Sequence, residues 1–209
     1  LKTSKASQQD PQSTEKLQAE FQKIDQELLQ LSKQNEFGQL IEQYGGVGLN
    51  ATTAADATNY FFSFPSNKLE LWMSLESDRF FDPVLREFFK EKAVILEERR
   101  MRIDNSPIGK LIEDYLQTAF KVHPYRQPVA GFSDDVTSMS RGDVQAFFKK
   151  FYTPDNLTFA IVGDVDPTTV KTLAQTYFGR IAKRVGPKRD IPVEPRQTVT
   201  RSVELKLKS

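Results

Sequence analysis

Cysteine is absent, which excludes disulfides and thiolate metal sites and leaves the redox compartment open. Histidine is almost absent: His123 stands alone in the proline-containing loop HPYRQPVAG, and one imidazole does not make a zinc site. Charge of one sign is not in excess. The 29 basic residues face 28 acidic ones, so nothing suggests general nucleic-acid binding. No apolar run reaches transmembrane length. No dinucleotide fingerprint, phosphate-binding loop or serine or cysteine nucleophile motif occurs. The opening LKTSKASQQD carries neither an initiator methionine nor a signal peptide. It is expected to belong to a longer protein, with any targeting segment outside the chain.

What is present is enough for a core. The 209 residues are 38% hydrophobic, with 16 phenylalanines and one tryptophan, Trp72, and predict one large domain or one and a part. The most informative stretch is 84–104, VLREFFKEKAVILEERRMRID. It is predicted as one long helix, with no Gly or Pro between Val84 and Arg102. Glu91 and Glu98 are seven residues apart, two turns, and so point the same way. Ile95 lies between them on that face, and Phe88 one turn before. Two such carboxylates are either buried against a cation, metal or donors, or exposed and paired with Lys90, Lys92, Arg99 or Arg100. The pattern alone leaves both open.

The run EKAVILEERRMRIDNSP, followed by HPY and then YTPDNLTFAIVGDVDP, resembles the pitrilysin/insulinase-type (inverzincin) zinc metallopeptidases, which include the mitochondrial processing peptidase beta subunit. The resemblance runs from about Phe37 to the C-terminus. It implies one zinc ion in the parent protein, held by two histidines of an H-x-x-E-H helix and by a glutamate further on. That motif is not in this sequence. The implied third ligand is Glu98, with Glu91 as its supporting acid. The implied substrate is an extended peptide laid along an edge strand by backbone hydrogen bonds, with Asn50 and Ala51 as contact positions. The chain would supply one ligand and part of the substrate wall of a zinc metalloendopeptidase. By itself it is expected to bind zinc weakly or not at all. A second homologous half or subunit is the implied partner. The alternative is a non-catalytic homologue acting as scaffold or partner subunit.

The fold class expected is α+β, a mainly antiparallel sheet covered by helices. Residues 1–35 are expected to be a flexible start followed by an amphipathic helix over 14–34, with Leu17, Phe21, Ile24, Leu28 and Leu31 in one seam. That helix is expected to lie on its own domain, or else to contact another subunit or a part of the protein outside this chain. Residues 36–182 form the partial peptidase-type domain. Within it, strands 48–53 and 57–65 form a hairpin. A helix over 67–81 starts with the capping pattern Asn67/Glu70. Ser106 and Pro107 open another, whose core side is Leu111, Ile112, Tyr115, Leu116 and Phe120. Ser140 caps a helix over 141–151 that turns Phe147, Phe148 and Phe151 inward. Leu157–Val162 reads as a buried strand, and a helix over 167–178 follows. Residues 183–197 have linker composition. The alternating stretch 198–208, with Val199, Val203, Leu205 and Leu207, is expected to begin the second half.

Overall fold

The computed structural model describes residues 15–17, 19–21, 23, 24, 26, 27 and 35–206. The described residues among 15–27 are helical, with Leu17, Phe21 and Ile24 exposed. The expected seam positions Leu28 and Leu31 lie outside the described residues, as does Leu207.

The first complete helix, α1 (Glu36–Gln43), ends in a paired turn. Gly46 N–H donates to Ile41 O at 2.8 Å and Gly45 N–H to Glu42 O at 3.0 Å. Gly45 sits at φ +85°, the left-handed conformation this termination needs. The hairpin follows. Strands β1 (Val47–Thr53) and β2 (Thr58–Ser63) pair antiparallel, with Asn50 opposite Phe61 and Ala51 opposite Tyr60. One extra β1 residue between Val47 and Asn50 makes a bulge, where Gly48 takes φ +71°.

Helix α2 (Leu69–Phe81) carries the centre of the core. Met73 is 1% and Phe80 7% exposed. Burying side chains of this size contributes roughly 1.5–3 kcal/mol each. Phe80 meets Tyr152 at 6.1 Å, Phe159 at 6.0 Å and Tyr60 at 6.5 Å between ring centres. The capping pattern expected at Asn67/Glu70 does not form. A 3-10 turn, Ser66–Lys68, leads into the helix instead, with Lys68 N–H bonded to Pro65 O.

The expected single helix over 84–104 is shorter and changes pitch. Helix α3 covers Phe88–Arg99, because the chain after Pro83 stays non-helical to Glu87. Beyond it, Arg100–Asp104 winds as a wider π turn, closed by Asn105 N–H to Arg100 O at 2.8 Å. Helix α4 (Pro107–Ala119) starts as the sequence predicts, with Ser106 Oγ accepting from Gly109 N–H at 3.1 Å. Its faces are not as expected. Leu111, Ile112 and Tyr115 are 49–62% exposed, while Glu113 is covered by Arg99. A buried ion pair, rather than the apolar stripe, faces α3.

Short helix α5 (Ser133–Ser138) is tied to α3 by Lys92, whose ammonium donates to Thr137 O and Met139 O at its C-terminal end. Helix α6 (Arg141–Phe151) has the expected Ser140 cap, completed by Asp143 into a capping box. Phe147, expected inward, is exposed and lines a groove. Helix α7 (Pro167–Tyr177) packs on α2 through Trp72, Phe159 and Phe178. Tyr177 Oη donates to Glu70 Oε1 at 2.9 Å.

The buried strand expected at Leu157–Val162 does not form among the described residues. The segment pairs with no strand, and Val162 is 97% exposed. A strand needs a neighbour, and what lies between it and β2 is a groove of about 1030 Å³. Residues 198–206 likewise form no ladder, so alternation there is a pattern without a partner. The linker composition of 183–197 does not mean looseness. Gly186 N–H bonds both Asp155 oxygens, and Glu194 accepts from the N–H groups of Lys121, Val122 and His123 at 2.7–2.8 Å. Those three donors, His123 foremost, bring the Glu194 carboxyl down to about 2.

Candidate active site

Glu91 occupies the first turn of α3 and Glu98 the last, two turns apart on one side of the helix. Glu91 is exposed, and Ile95 between them is 42% exposed. The Glu98 side chain is 44% exposed. Its carboxylate receives Arg102 Nη1 at 2.8 Å, and Arg102 is itself open to water. An exposed pair of this kind contributes about 0–1 kcal/mol, so the carboxylate is available. Glu97 points elsewhere and takes two bonds from Arg100, which hold its carboxyl below the usual range.

The third charge of this run behaves differently. Arg99 is 6% exposed. Its Nη2 reaches both Glu113 oxygens at 3.1 and 3.0 Å and Asp104 Oδ1 at 3.4 Å, and its Nη1 donates to Gly131 O at 2.6 Å. One of the two readings open from the sequence has Arg99 exposed and paired with the acids of its own helix. Its partner lies 14 residues on, in α4, beyond helical spacing.

Asn50 and Ala51 lie on β1. Asn50 Oδ1 accepts from Ala51 N–H at 2.8 Å, so that amide is held by a displaceable side chain. The hairpin tip is anchored by Tyr125 Oη, which donates to Asp56 Oδ2 at 2.6 Å. His123 has a structural task. Its Nδ1 accepts from Tyr125 N–H at 3.2 Å, and its ring lies 4.3 Å from that of Tyr125.

A carboxylate oxygen suits zinc, and Glu98 presents one. Among the described residues no three His, Cys, Asp or Glu side chains stand together as a metal site. The described residues would thus offer a metal one such donor, Glu98, and no complete site. A second acid missed from sequence is Glu76, 4% exposed on α2 beside the groove. It pairs with Arg79, and burial raises its carboxyl despite that cation.

The family profile described as Insulinase (Peptidase family M16) matches residues 29–132, and that described as Peptidase M16 inactive domain matches residues 138–209. The chain is 36% identical over 148 residues to the zinc protease PqqE of Helicobacter pylori, taking in 70% of this chain and 33% of that protein. It is 28% identical over 149 residues to the mitochondrial-processing peptidase subunit beta of Blastocladiella emersonii, taking in 70% of this chain and 31% of that one. A solved protease from Helicobacter pylori superposes with a TM-score of 0.70 at 33% identity, covering 81% of this chain and 43% of that one. The first half of the periplasmic protease PqqL from Escherichia coli shares the fold, with a TM-score of 0.65 at 20% identity over 76% of this chain and 36% of that one. The chain spans about a third of the length of the curated relatives it matches.

Proposed function

Because the chain belongs to the insulinase-type peptidase family M16, we propose that it is part of a zinc-dependent metalloendopeptidase in which Glu98 supplies one metal ligand. The observation that carries this reading is the open Glu98 carboxylate, whose one partner among the described residues is the exposed Arg102. The remaining ligands would come from outside the described residues, as the family's H-x-x-E-H helix implies. A bound zinc supplies Lewis-acid polarisation of the scissile carbonyl and a more acidic water. Glu91 presents a second carboxylate on the same side to orient groups near the metal. The β1 backbone at Asn50 and Ala51 holds an extended peptide, with Asn50 Oδ1 releasing the Ala51 amide as the peptide arrives. A second homologous half closes the site from the other side.

In the full-length protein, Glu98→Gln is expected to lose zinc and nearly all peptide cleavage. Glu91→Gln keeps most of the zinc and loses much of the rate. Glu97→Gln leaves zinc content and cleavage close to the wild type, as expected for an exposed acid paired with Arg100. Metal content and cleavage rates of the three decide the matter. Zinc lost with Glu97 instead would move the ligand by one residue, and zinc kept in all three would remove it from this helix. For the strand, Ala51→Pro deletes a backbone donor and is expected to raise KM for peptides with metal content unchanged. Unaltered peptide kinetics would refute the substrate-wall assignment.

A further inference from the structure

We propose that Arg99 is the positioning residue for Glu98, an inference that rests on the reading of Glu98 as a metal ligand. Three consecutive residues at the end of α3 are held by three different ion pairs: Glu97 by Arg100, Glu98 by Arg102, and Arg99 by Glu113. The first two pairs are exposed and turn with the helix, since both partners belong to the same helical run. The third is buried and anchors the helix to other elements. Arg99 grips α4 through Glu113, the π turn through Asp104, and the loop after His123 through the Gly131 carbonyl.

Helix rotation is what this anchor sets. Neighbouring residues differ by about 100° around the axis, so a slip of one position would carry Glu98 to the direction that Glu97 now has. Such a slip is a real alternative here, because the hydrogen bonding changes from α to π spacing immediately after Arg99. The Glu98 carboxylate has no buried partner of its own, so its direction is inherited from the turn it sits on. The acceptor at Gly131 belongs to a turn closed by its own N–H to Pro128 O at 2.9 Å, and its φ of +76° is one that side-chain-bearing residues rarely adopt.

The test uses the full-length protein stripped of metal, with zinc affinity measured by competition with a chromophoric chelator and stability by thermal unfolding. Arg99→Lys keeps the charge and loses the fork, and Glu113→Gln keeps the shape and loses the charge. Met73→Ala, in the core of α2, is the control for lost stability alone. Each of the first two is expected to weaken zinc binding about tenfold or more, while Met73→Ala unfolds at least as early and binds zinc like the wild type. The proposal is overturned if Arg99→Lys and Glu113→Gln bind zinc normally, or if Met73→Ala loses as much affinity as they do. Should Arg99→Lys not fold, Glu113→Gln decides. Zinc retained by Glu98→Gln would remove the ligand reading itself. Zinc lost from Glu98→Gln but kept by both clamp variants would remove only the positioning role.

Discussion

The corner formed by α3, the π turn, α4 and Gly131 contrasts with the groove between β2 and residues 157–164. The corner is held by charge. Arg99, Glu113, Asp104 and a backbone carbonyl come together within 32 residues of sequence. The groove is walled by aromatic rings and by two extended backbones that do not pair with each other. Its buried acid, Glu76, keeps an oxygen with no hydrogen-bond partner among the described residues, as Arg99 of the corner keeps its Nε. Polar closure makes the first region specific about geometry. Apolar packing along one side leaves the second tolerant of what lies in it.

The sharpest way to break the comparison is to strip each region of its main contact in the full-length protein. Glu113→Ala leaves the buried Arg99 guanidinium with only the more distant, exposed Asp104 and a backbone carbonyl, and is expected to cost about 3–5 kcal/mol in denaturant unfolding. Phe80→Ala removes the ring around which Tyr60, Tyr152 and Phe159 gather, and is expected to cost about 3 kcal/mol, the low end for a buried ring, because the groove already leaves that side open. A larger loss for Phe80 than for Glu113 would reverse the ranking of the two regions.

A smaller effect concerns acid. Glu194 ties the 183–197 segment to the turn that follows α4, residues 121–123, and its folded carboxyl is depressed to about 2 from an ordinary 4.5. A depressed acid stabilises the fold above its unfolded value and loses that contribution as pH falls toward the folded one. The stability gap between the wild type and Glu194→Gln is therefore expected to be constant above pH 5 or so and to close between about 4.5 and 2. Stability followed from pH 7 to pH 2 would show it, and a gap independent of pH would mean the carboxylate contributes no charge there.

The parts of this fold legible in sequence are those decided within one turn of chain. Ser106 and Ser140 each satisfy a backbone amide three residues on, and both caps form. The hairpin and the helix after Pro167 follow from equally local signals. What escaped was decided by distant partners. Arg99 looks like any surface arginine until α4 brings Glu113 to it, and Leu111, Ile112 and Tyr115 look like a core stripe until that ion pair turns them outward. Leu157–Val162 has the composition of an inner strand, but composition supplies no hydrogen-bonding neighbour. At the candidate site, the two-turn spacing of Glu91 and Glu98 was legible because it is helical geometry. The clamp that fixes its rotation was not, since it is tertiary.

One bond across the groove sets a limit on what holds its walls. Tyr60 and Tyr152 share a hydrogen bond of 2.6 Å between hydroxyls 92 positions apart, whereas Arg99 and Glu113 are 14 apart. By the slow logarithmic growth of loop-closure entropy, joining the longer loop costs about 1.7 kcal/mol more than joining the shorter. A neutral hydrogen bond contributes about 1 kcal/mol net, so the tyrosine pair cannot meet even this difference unaided. Phe80, stacked on Tyr152 and set edge-on against Tyr60 and Phe159, is placed to supply part of the remainder. In entropic terms the hydroxyls aim the two walls at each other, and the rings keep them there.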